Sequence, residues 1–343
     1  MSIQTTLPEG SLILVTGASG YIGAHVTKQL LHRGYKVRGT VRDIGKAEWL
    51  STDSFPKEAT NSSLELVILN NINDKYQIQQ AIQGIAGVVH IATPNTFNPD
   101  PNETVTQTVE FVVNLLIAAA SEKTVKEFVY TSTIGAATML PAQPGFHFDG
   151  TNWNEGARAL AWAPPPYTPD RGMIAYVQGK VEAEQAFWKF FEENKPTFKG
   201  NTVIVCTVFG PRLHEKSNSS TSAWLWSIYN NNAAPMSFFP SSIFVDVRDV
   251  ALLHVAALLD PSIEGARLPA WGYEFNWNDI LKILQQLDPG KALPAALDNP
   301  GGFNGTTDVA QAKHALKRWG GQDDFISLEK GVIDTLNGPS VSG

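Results

Sequence analysis

The chain has 343 residues, of which 43% are hydrophobic and 17% are charged, and its formal net charge is −7. This length and apolar content allow a large core, which we expect to be divided between two lobes. The negative charge balance, without any cluster of Lys and Arg, excludes nucleic acid as an expected partner.

The cysteine content and the start of the chain bear on the compartment. Cys206 is the one cysteine in the sequence, so no internal disulfide can form and we expect a reducing, cytoplasmic environment. Residues 1–11 lack a basic segment followed by an apolar one, which argues against a signal peptide. We find no uninterrupted apolar stretch long enough for a membrane span and no metal-ligand spacing of histidines, so we expect neither a membrane nor a metal site.

The first 42 residues carry the clearest local pattern. An apolar strand at 11–16 leads into TGASGYIG, a helix at 25–32 and a second strand at 35–42. This order is the context that a dinucleotide fingerprint requires, because the glycines allow close backbone approach and the helix start offers free N–H groups to a pyrophosphate. The cofactor-binding candidates in this stretch are Thr16, Gly17, Gly20, Tyr21, Ile22 and Gly23.

The end of the second strand indicates which nucleotide is bound. An Asp or Glu there favours a free ribose 2′-hydroxyl, whereas a cation favours a 2′-phosphate. The candidate acidic position is Thr40, and Arg42 and Lys46 follow it, although the adjacent Asp43 argues the other way. A guanidinium matches phosphate oxygens well, so we expect NADPH/NADP+ as the cofactor, with Arg42 and Lys46 as ligands.

Further strands are predicted at 64–69, 87–93 and 128–133, with a helix at 104–121 between the last two. Alternating strands and helices predict an α/β fold with a doubly wound parallel sheet and ligands outside the carboxyl ends of the strands. Ala92 and Thr93 end the fourth strand at that edge, and we expect both to contact the cofactor. Thr133 ends the fifth strand at the same edge.

The segment AYVQGK at 175–180 begins a long apolar-periodic run. If the run is helical, Tyr176 and Lys180 lie one turn apart on one face. A cation beside a phenol favours the phenolate, so we expect the pKa of Tyr176 to be lowered from its usual value of about 10. Such a tyrosine can donate a proton to a developing alkoxide near neutral pH.

Four motifs occur together in a recognisable order: TGASGYIG, HIAT ending the fourth strand, VYTST ending the fifth, and YVQGK. They resemble the extended short-chain dehydrogenase/reductase superfamily, in particular the branch of dihydroflavonol reductases and fungal NADPH-dependent carbonyl reductases. FVDVRDVA at 244–251 is also similar to that branch.

This resemblance implies catalytic roles for three residues. Tyr176 is the proton donor, Lys180 lowers the pKa of Tyr176 and binds the cofactor ribose, and Thr133 replaces the usual serine that holds the substrate oxygen. If side chains alternate along the strand, Ser132 points to the face of the sheet opposite to that of Thr133.

The chain departs from the family in two places. Relatives have an Asp that contacts adenine at the place where this chain has Asn70, Asn71 and Ile72. We expect Asn70 and Ile72 to bind this part of the cofactor, and whether Asn71 contacts adenine instead stays open. In the segment 205–210, Val205 stands where relatives often have a proline near the nicotinamide, and Val208 is our candidate contact there.

The second half of the chain is expected to supply the substrate lobe. Residues 162–167 form a Pro-rich surface loop before the helix that carries Tyr176. Residues 211–240 form either an aromatic substrate loop with a short helix or a core cluster of the second lobe. We expect Phe97, Thr133, Tyr176 and Trp226 to contact the substrate. Helices are predicted at 277–287, 308–319 and 325–336.

The expected domains are a dinucleotide-binding domain at 1–210, to which 244–275 return, and a substrate lobe at 211–243 with 276–343. We therefore expect an NADPH-dependent reductase of hydrophobic or aromatic carbonyls that is a monomer or a homodimer. Two alternatives are a nucleotide-sugar epimerase or dehydratase of the same fold and a non-catalytic NADP-sensing protein. The absence of a carboxylate at Ile134 or Gly135 disfavours a dehydratase.

Overall fold

The computed structural model describes residues 3–94, 97–217 and 219–339. The strands are β1 (Leu12–Thr16), β2 (Lys36–Val41), β3 (Leu64–Ile68), β4 (Gly87–His90), β5 (Glu127–Thr133), β6 (Phe146–Phe148), β7 (Lys199–Val205), β8 (Thr207–Phe209), β9 (Ser241–Asp246), β10 (Arg267–Ala270), β11 (Tyr273–Asn276) and β12 (Gly305–Thr307). The helices are α1 (Tyr21–Leu31), α2 (Ile44–Ala47), α3 (Pro56–Thr60), α4 (Lys75–Ile82), α5 (Pro101–Ser121), α6 (Glu155–Ala161), α7 (Gly172–Asn194), α8 (Ser220–Tyr229), α9 (Val247–Leu259), α10 (Trp277–Leu287), α11 (Ala310–Gly320) and α12 (Leu328–Asn337).

Seven strands form a central sheet in the order β10-β7-β5-β4-β1-β2-β3, and all of its pairings are parallel. Helices cover both faces, as the alternation of side chains along β1 shows. Ile13 and Val15 point to the cluster that includes α1 and α9, whereas Leu14 points to the cluster that includes α4, α5 and α7. Because a strand exposes alternate residues to opposite faces, an unbroken apolar run fits a sheet buried on both sides.

Helix α5 is apolar enough to need an explanation. The helix has 21 residues, and an 18-residue window within it has a mean hydropathy of 1.3, so by length and composition it could cross a membrane, yet 50% of that window is buried in the fold. Phe111, Leu115 and Leu116 pack into the core beneath α7. The helix is not an uninterrupted apolar stretch, because it contains Glu103, Glu110 and Asn114, and its packing between the sheet and α7 accounts for its apolar content.

The smaller lobe is built on a second sheet with the order β11-β9-β8. Its core joins β8, β9 and β11 to α8 and α10, with Phe209, Phe244 and Trp277 fully buried at its centre. The segment 267–275 contributes to two different sheets, β10 to the seven-stranded sheet and β11 to the three-stranded one. The proposed domain boundaries stay a prediction; β9 and β11, which overlap the two ends of the segment 244–275, pair outside the seven-stranded sheet.

The insertion between β5 and α7 is more ordered than a surface loop. It contains β6, which pairs with β12, and α6, which precedes the Pro-rich segment. Arg171 donates hydrogen bonds to the carbonyl groups of Ala161, Ala163 and Pro164, and so ties this segment to the start of α7. The insertion is therefore an ordered segment that is tied by hydrogen bonds to the start of the helix that carries Tyr176.

Candidate active site

The glycine turn after β1 is shaped for close approach of a ligand to the backbone. Gly17 has φ +68°, and a Cβ there would lie 3.2 Å from the Ala92 Cβ. A Cβ on Gly23 would lie 2.1 Å from the Gly17 carbonyl oxygen, which no side chain tolerates. Helix α1 starts after Gly20 without a side-chain cap, so the N–H groups of its first turn are available to an anion.

Thr16 locks the ends of β1 and β4 together. Its hydroxyl oxygen lies 2.8 Å from His90 Nδ1 and accepts hydrogen bonds from the backbone N–H groups of Ile91 and Ala92, each at 3.0 Å. The side chain thus fixes the backbone that leads to Ala92 and Thr93. The structure brings these three predicted cofactor residues to one edge of the sheet, beside the glycine turn.

The residues at the end of β2 differ in whether their side chains are already used in hydrogen bonds. Thr40 is buried; its hydroxyl accepts the Gly17 N–H at 3.2 Å, and its carbonyl accepts the Ala18 N–H. Asp43 Oδ1 accepts the backbone N–H of Lys46 and so caps α2. Arg42 and Lys46 are exposed, and their side chains form no ion pair within the described part of the chain.

The loop after β3 is held by amide side chains. Asn70 Oδ1 accepts a hydrogen bond from Gln77 at 3.0 Å, and Asn71 Oδ1 accepts the Asn73 N–H at 3.0 Å. Asn114 on α5 donates to the Ile72 carbonyl at 3.0 Å. Each amide oxygen accepts one hydrogen bond inside the loop, so a second lone pair on each oxygen, the Nδ2 donors and the backbone are left for a ligand.

Tyr176 and Lys180 lie one turn apart on α7, as predicted from their spacing. Lys180 is 2% exposed, and its Nζ donates hydrogen bonds of 2.6 Å to the Tyr130 hydroxyl and 2.6 Å to the Thr131 carbonyl. A third, longer contact of 3.4 Å joins Nζ to the Thr93 hydroxyl. The ammonium is therefore anchored on β5 rather than on Tyr176.

The prediction that Lys180 lowers the pKa of Tyr176 is wrong for the protein without a bound cofactor. Burial raises the pKa of Tyr176 to about 12, although part of the residue's surface remains accessible. Burial also lowers the pKa of Lys180 to about 7, which the charge of Glu184 partly opposes. A lysine with its own charge penalised by burial gives less stabilisation to a phenolate. Tyr176 is consequently a neutral phenol at neutral pH, which is the form that donates a proton.

Thr133 is positioned by a short 3₁₀ turn, Ile134–Ala136, that follows β5. Its Oγ1 accepts the Gly135 N–H at 3.4 Å, and a Cβ on Gly135 would lie 3.2 Å from Val177, next to Tyr176. Asn154, which is buried, donates to the Gly135 carbonyl at 2.8 Å and fixes this turn. The turn therefore packs against α7 beside the phenol.

Ser132 faces away from this turn, as its place in the strand predicts. Its hydroxyl donates to Glu184 Oε2 at 2.6 Å, and Glu184 also accepts from Thr202 at 2.9 Å and from Arg267 Nε at 2.9 Å. Arg267 lies over the Trp153 ring at 4.0 Å. This buried ion pair joins α7, β5, β7, β10 and the insertion.

The predicted substrate residues separate into two groups. The Phe97 ring lies 5.4 Å from the Tyr176 ring, centroid to centroid, and Phe97 has φ +51°. Trp226 on α8 packs against Tyr229 at 6.0 Å, and Trp224 packs against Phe239 in the core of the smaller lobe. Phe97 is thus beside the phenol, while the place of Trp226 in a substrate site stays a prediction, as does that of Val208, which is buried in β8.

Residues 13–266 match the NAD dependent epimerase/dehydratase family. The chain belongs to this family. Proteins of the family that resemble it include the NAD-dependent epimerase/dehydratase terH of Aspergillus terreus, 35% identical over 99% of this chain and 100% of that protein. Aldehyde reductase 2 of Sporidiobolus salmonicolor is 35% identical over 97% of each chain. The solved structure of yeast methylglyoxal/isovaleraldehyde reductase Gre2, complexed with NADPH, has a TM-score of 0.76 and 25% identity and covers 95% of this chain and 97% of that one.

These comparisons confirm the resemblance to extended short-chain dehydrogenases/reductases and the doubly wound fold. The chain is an oxidoreductase of this family, and the family's nicotinamide dinucleotide fits the glycine cradle described above. The roles assigned to individual residues of the site rest on the motifs and the geometry, and they stay predictions.

Three functional neighbours escaped the sequence reasoning: Tyr130, Glu184 and Asn154. Tyr130 and Ser132 alternate with Thr131 and Thr133 along β5, which could have placed both on the α7 side. Glu184 follows Lys180 by four residues, so helical spacing alone could have identified it as a neighbour. Asn154 lies in the insertion, where no local pattern predicts a contact with the turn after Thr133.

Tyr21 belongs to the glycine-rich fingerprint and also makes a structural hydrogen bond. Its hydroxyl donates to the Gly210 carbonyl at 2.6 Å, and burial raises its pKa far above the usual range. Asp246, Arg248 and Asp334 form a nearby ion-pair cluster, with Arg248 Nη2 2.8 Å from Asp246 and 2.6 Å from Asp334. These ion pairs connect β9, α9 and α12.

Proposed function

We propose that the protein is an NADPH-dependent carbonyl reductase that reduces hydrophobic or aromatic ketones, keto esters and aldehydes to alcohols. The observation that carries the proposal is the surroundings of Tyr176. A neutral phenol stands against the Phe97 ring, with the Lys180 ammonium one helical turn away and the Thr133 turn packed beside it. Apolar surroundings of this kind favour an apolar carbonyl compound over a sugar.

The chain's own groups divide the chemistry between them. The reduced nicotinamide, when bound, supplies the hydride. Tyr176 donates its phenolic proton to the substrate oxygen, and Thr133 donates a hydrogen bond to the same oxygen. Lys180 uses its remaining N–H to hold the cofactor ribose, and its charge stabilises the phenolate left on Tyr176. Rigid placement of these groups on β5 and α7 lowers the entropy cost of reaching the reactive geometry.

The preference for NADPH is supported by the end of β2. Thr40 offers no carboxylate to a ribose 2′-hydroxyl, and its hydroxyl is already used by Gly17. Arg42 and Lys46 are exposed at the same edge and are free to contact a 2′-phosphate. The complex of Gre2 with NADPH supports the same choice for a protein of similar fold.

The alternatives need groups that this site does not offer in its described part. A dehydratase needs an acid–base pair beside the catalytic hydroxyl, whereas the residues after Thr133 are the buried Ile134 and Gly135. A non-catalytic NADP-sensing protein would not need the buried Tyr176 and Lys180 in their present arrangement. Both alternatives are outcomes of the experiment below.

The experiment mixes purified protein with NADPH and a panel of aryl ketones, β-keto esters, aliphatic aldehydes and one nucleoside-diphosphate sugar. Loss of the reduced-cofactor absorbance is followed, and NADH is run in parallel. We expect turnover of the aryl ketones or keto esters with NADPH. Conversion of the sugar nucleotide alone would establish the epimerase/dehydratase alternative, and tight NADPH binding without any turnover would establish the sensor.

Two further properties belong to the same proposal. We place the reductase in the cytoplasm, because its buried thiol Cys206 and reduced cofactor suit a reducing compartment. We also expect it to be a monomer or a homodimer, which light scattering of the eluted protein measures directly.

A further inference from the structure

We propose that Tyr130 is a positioning residue for this reaction: its buried hydroxyl holds the Lys180 ammonium in place and keeps it charged. The role of Lys180 in the reaction rests on the proposed function, whereas the contact between Lys180 and Tyr130 is a feature of the structure. Tyr130 lies on β5, three residues before Thr133, and is 1% exposed.

The contact between Lys180 and Tyr130 is short and brings the ammonium close to both the hydroxyl and the ring. Lys180 Nζ lies 2.6 Å from the Tyr130 hydroxyl oxygen and 4.2 Å from the centre of the Tyr130 ring. The hydroxyl accepts a hydrogen bond, and this bond brings the ammonium within the distance at which the same ring attracts a cation. A single tyrosine therefore replaces much of the hydration that the ammonium loses on burial.

The donor count shows what this leaves for a ligand. A lysine ammonium has three N–H donors. One donates to Tyr130, one to the Thr131 carbonyl at 2.6 Å, and the third has only the long contact of 3.4 Å to Thr93. Since the first two point into β5, a single N–H remains for the cofactor ribose, in a direction set by the first two bonds.

The Tyr130 ring is itself held from two sides. It stacks on Phe187 of α7 at 5.8 Å and on His90 of β4 at 5.5 Å, with interplanar angles of 24° and 27°. His90 is in turn fixed by Thr16. Removing the hydroxyl alone, as in Tyr130→Phe, would leave this packing intact.

Few other groups near the ammonium change charge around neutrality. The titratable and charged groups that surround it are Tyr176 and Glu184 on α7, Tyr130 on β5, His90 on β4, His254 on α9 and Arg267 on β10. Burial lowers the pKa of His90 to about 3 and that of His254 to about 4, so both are neutral above pH 5. Burial raises the tyrosine pKa values, and Glu184 is paired with Arg267. Lys180, with a pKa lowered to about 7, is the group that titrates.

The test compares wild type with Tyr130→Phe, and uses Tyr35→Phe as the matched control. Tyr35 is also buried and donates its hydroxyl to a backbone carbonyl, that of Leu7 at 2.9 Å, far along the chain from α7. Protein without cofactor is labelled at the lysine ε-carbon, and the Lys180 resonance is followed by NMR as pH changes. The loss of a hydrogen bond to a charged group should lower the titration midpoint of Lys180 by about one pH unit.

Steady-state kinetics give the second readout. We expect kcat/KM for NADPH to decline on the alkaline side about one pH unit earlier in Tyr130→Phe, and to match wild type within about twofold at pH 6. A role in packing alone would lower activity equally at every pH. An unchanged Lys180 midpoint would overturn the proposal.

The two hypotheses fail in different ways. If the wild-type protein reduces no carbonyl, the proposed function fails, but the NMR titration of the cofactor-free protein still decides whether Tyr130 controls Lys180. Should Tyr130→Phe not fold, Tyr130→Leu removes the same hydroxyl from an apolar strand position. Its Lys180 midpoint is expected to fall at least as far, and a midpoint equal to wild type would overturn the inference.

Discussion

Two cationic regions lie at the carboxyl edge of the central sheet, and they are built in opposite ways. Lys180 is buried and has two short hydrogen bonds to β5, whereas Arg42 and Lys46 are exposed at the end of β2. Burial brings the pKa of Lys180 down to about 7. The first region is suited to chemistry, because its charge depends on its surroundings. The second is suited to recognition, because exposed cations remain available to an incoming phosphate.

The largest expected effect lies in the buried region. Tyr176→Phe removes the proton donor but keeps the ring that contacts Phe97, so carbonyl reduction should fall by about 10²- to 10⁴-fold. NADPH binding, measured by fluorescence quenching, should change little. Tyr273→Phe, which removes a partly exposed hydroxyl on β11, serves as the control and should keep full activity. Unchanged turnover in Tyr176→Phe would refute the catalytic assignment.

The exposed region should respond through binding rather than through the chemical step. Arg42→Ala should raise KM for NADPH by about 10- to 100-fold, because a charge-assisted contact to the 2′-phosphate is lost. The KM for NADH and both kcat values should stay close to wild type. Lys57→Ala removes another exposed cation, on α3, and controls for net charge. Equal increases in KM for NADPH and NADH would contradict the cofactor preference.

The last expected effect is on stability rather than on activity, and it concerns Lys180 again. Its pKa is 10.5 in a model peptide and about 7 in the fold, so between these values the unfolded chain binds more protons. Wild-type stability from this group therefore rises with pH across that window and is constant below it. Lys180→Met removes this rise, at most about 1.4 kcal/mol per pH unit.

The measurement for this variant is urea unfolding of both proteins at several pH values from 6 to 10. The difference in unfolding free energy should be constant below pH 7 and should change in favour of wild type above it. Lys57→Met, at an exposed position, should run parallel to wild type throughout. Parallel curves for Lys180→Met would mean that the buried ammonium keeps an ordinary pKa.

Sequence patterns predicted the fold and the motif residues because these depend on local order. Strand β1, the glycine turn and α1 follow directly from an apolar run and glycine spacing, and α7 follows from its periodicity. The pKa of Tyr176 could not be obtained in this way. Helical spacing puts Lys180 on the same face, but where the ammonium points depends on Tyr130 and Thr131 from another element.

The sequence by itself determined a doubly wound dinucleotide-binding fold with a Tyr–Lys pair on one helix face, because short-range periodicity and turn chemistry specify both. Only the tertiary structure decided that Lys180 is held by Tyr130, that Ser132 binds the Glu184–Arg267 pair, and that Asn154 fixes the turn after Thr133. These contacts join residues far apart in the chain, and burial in the assembled core sets the charge of each group. Desolvation is a property of the packed molecule, which no stretch of sequence carries alone.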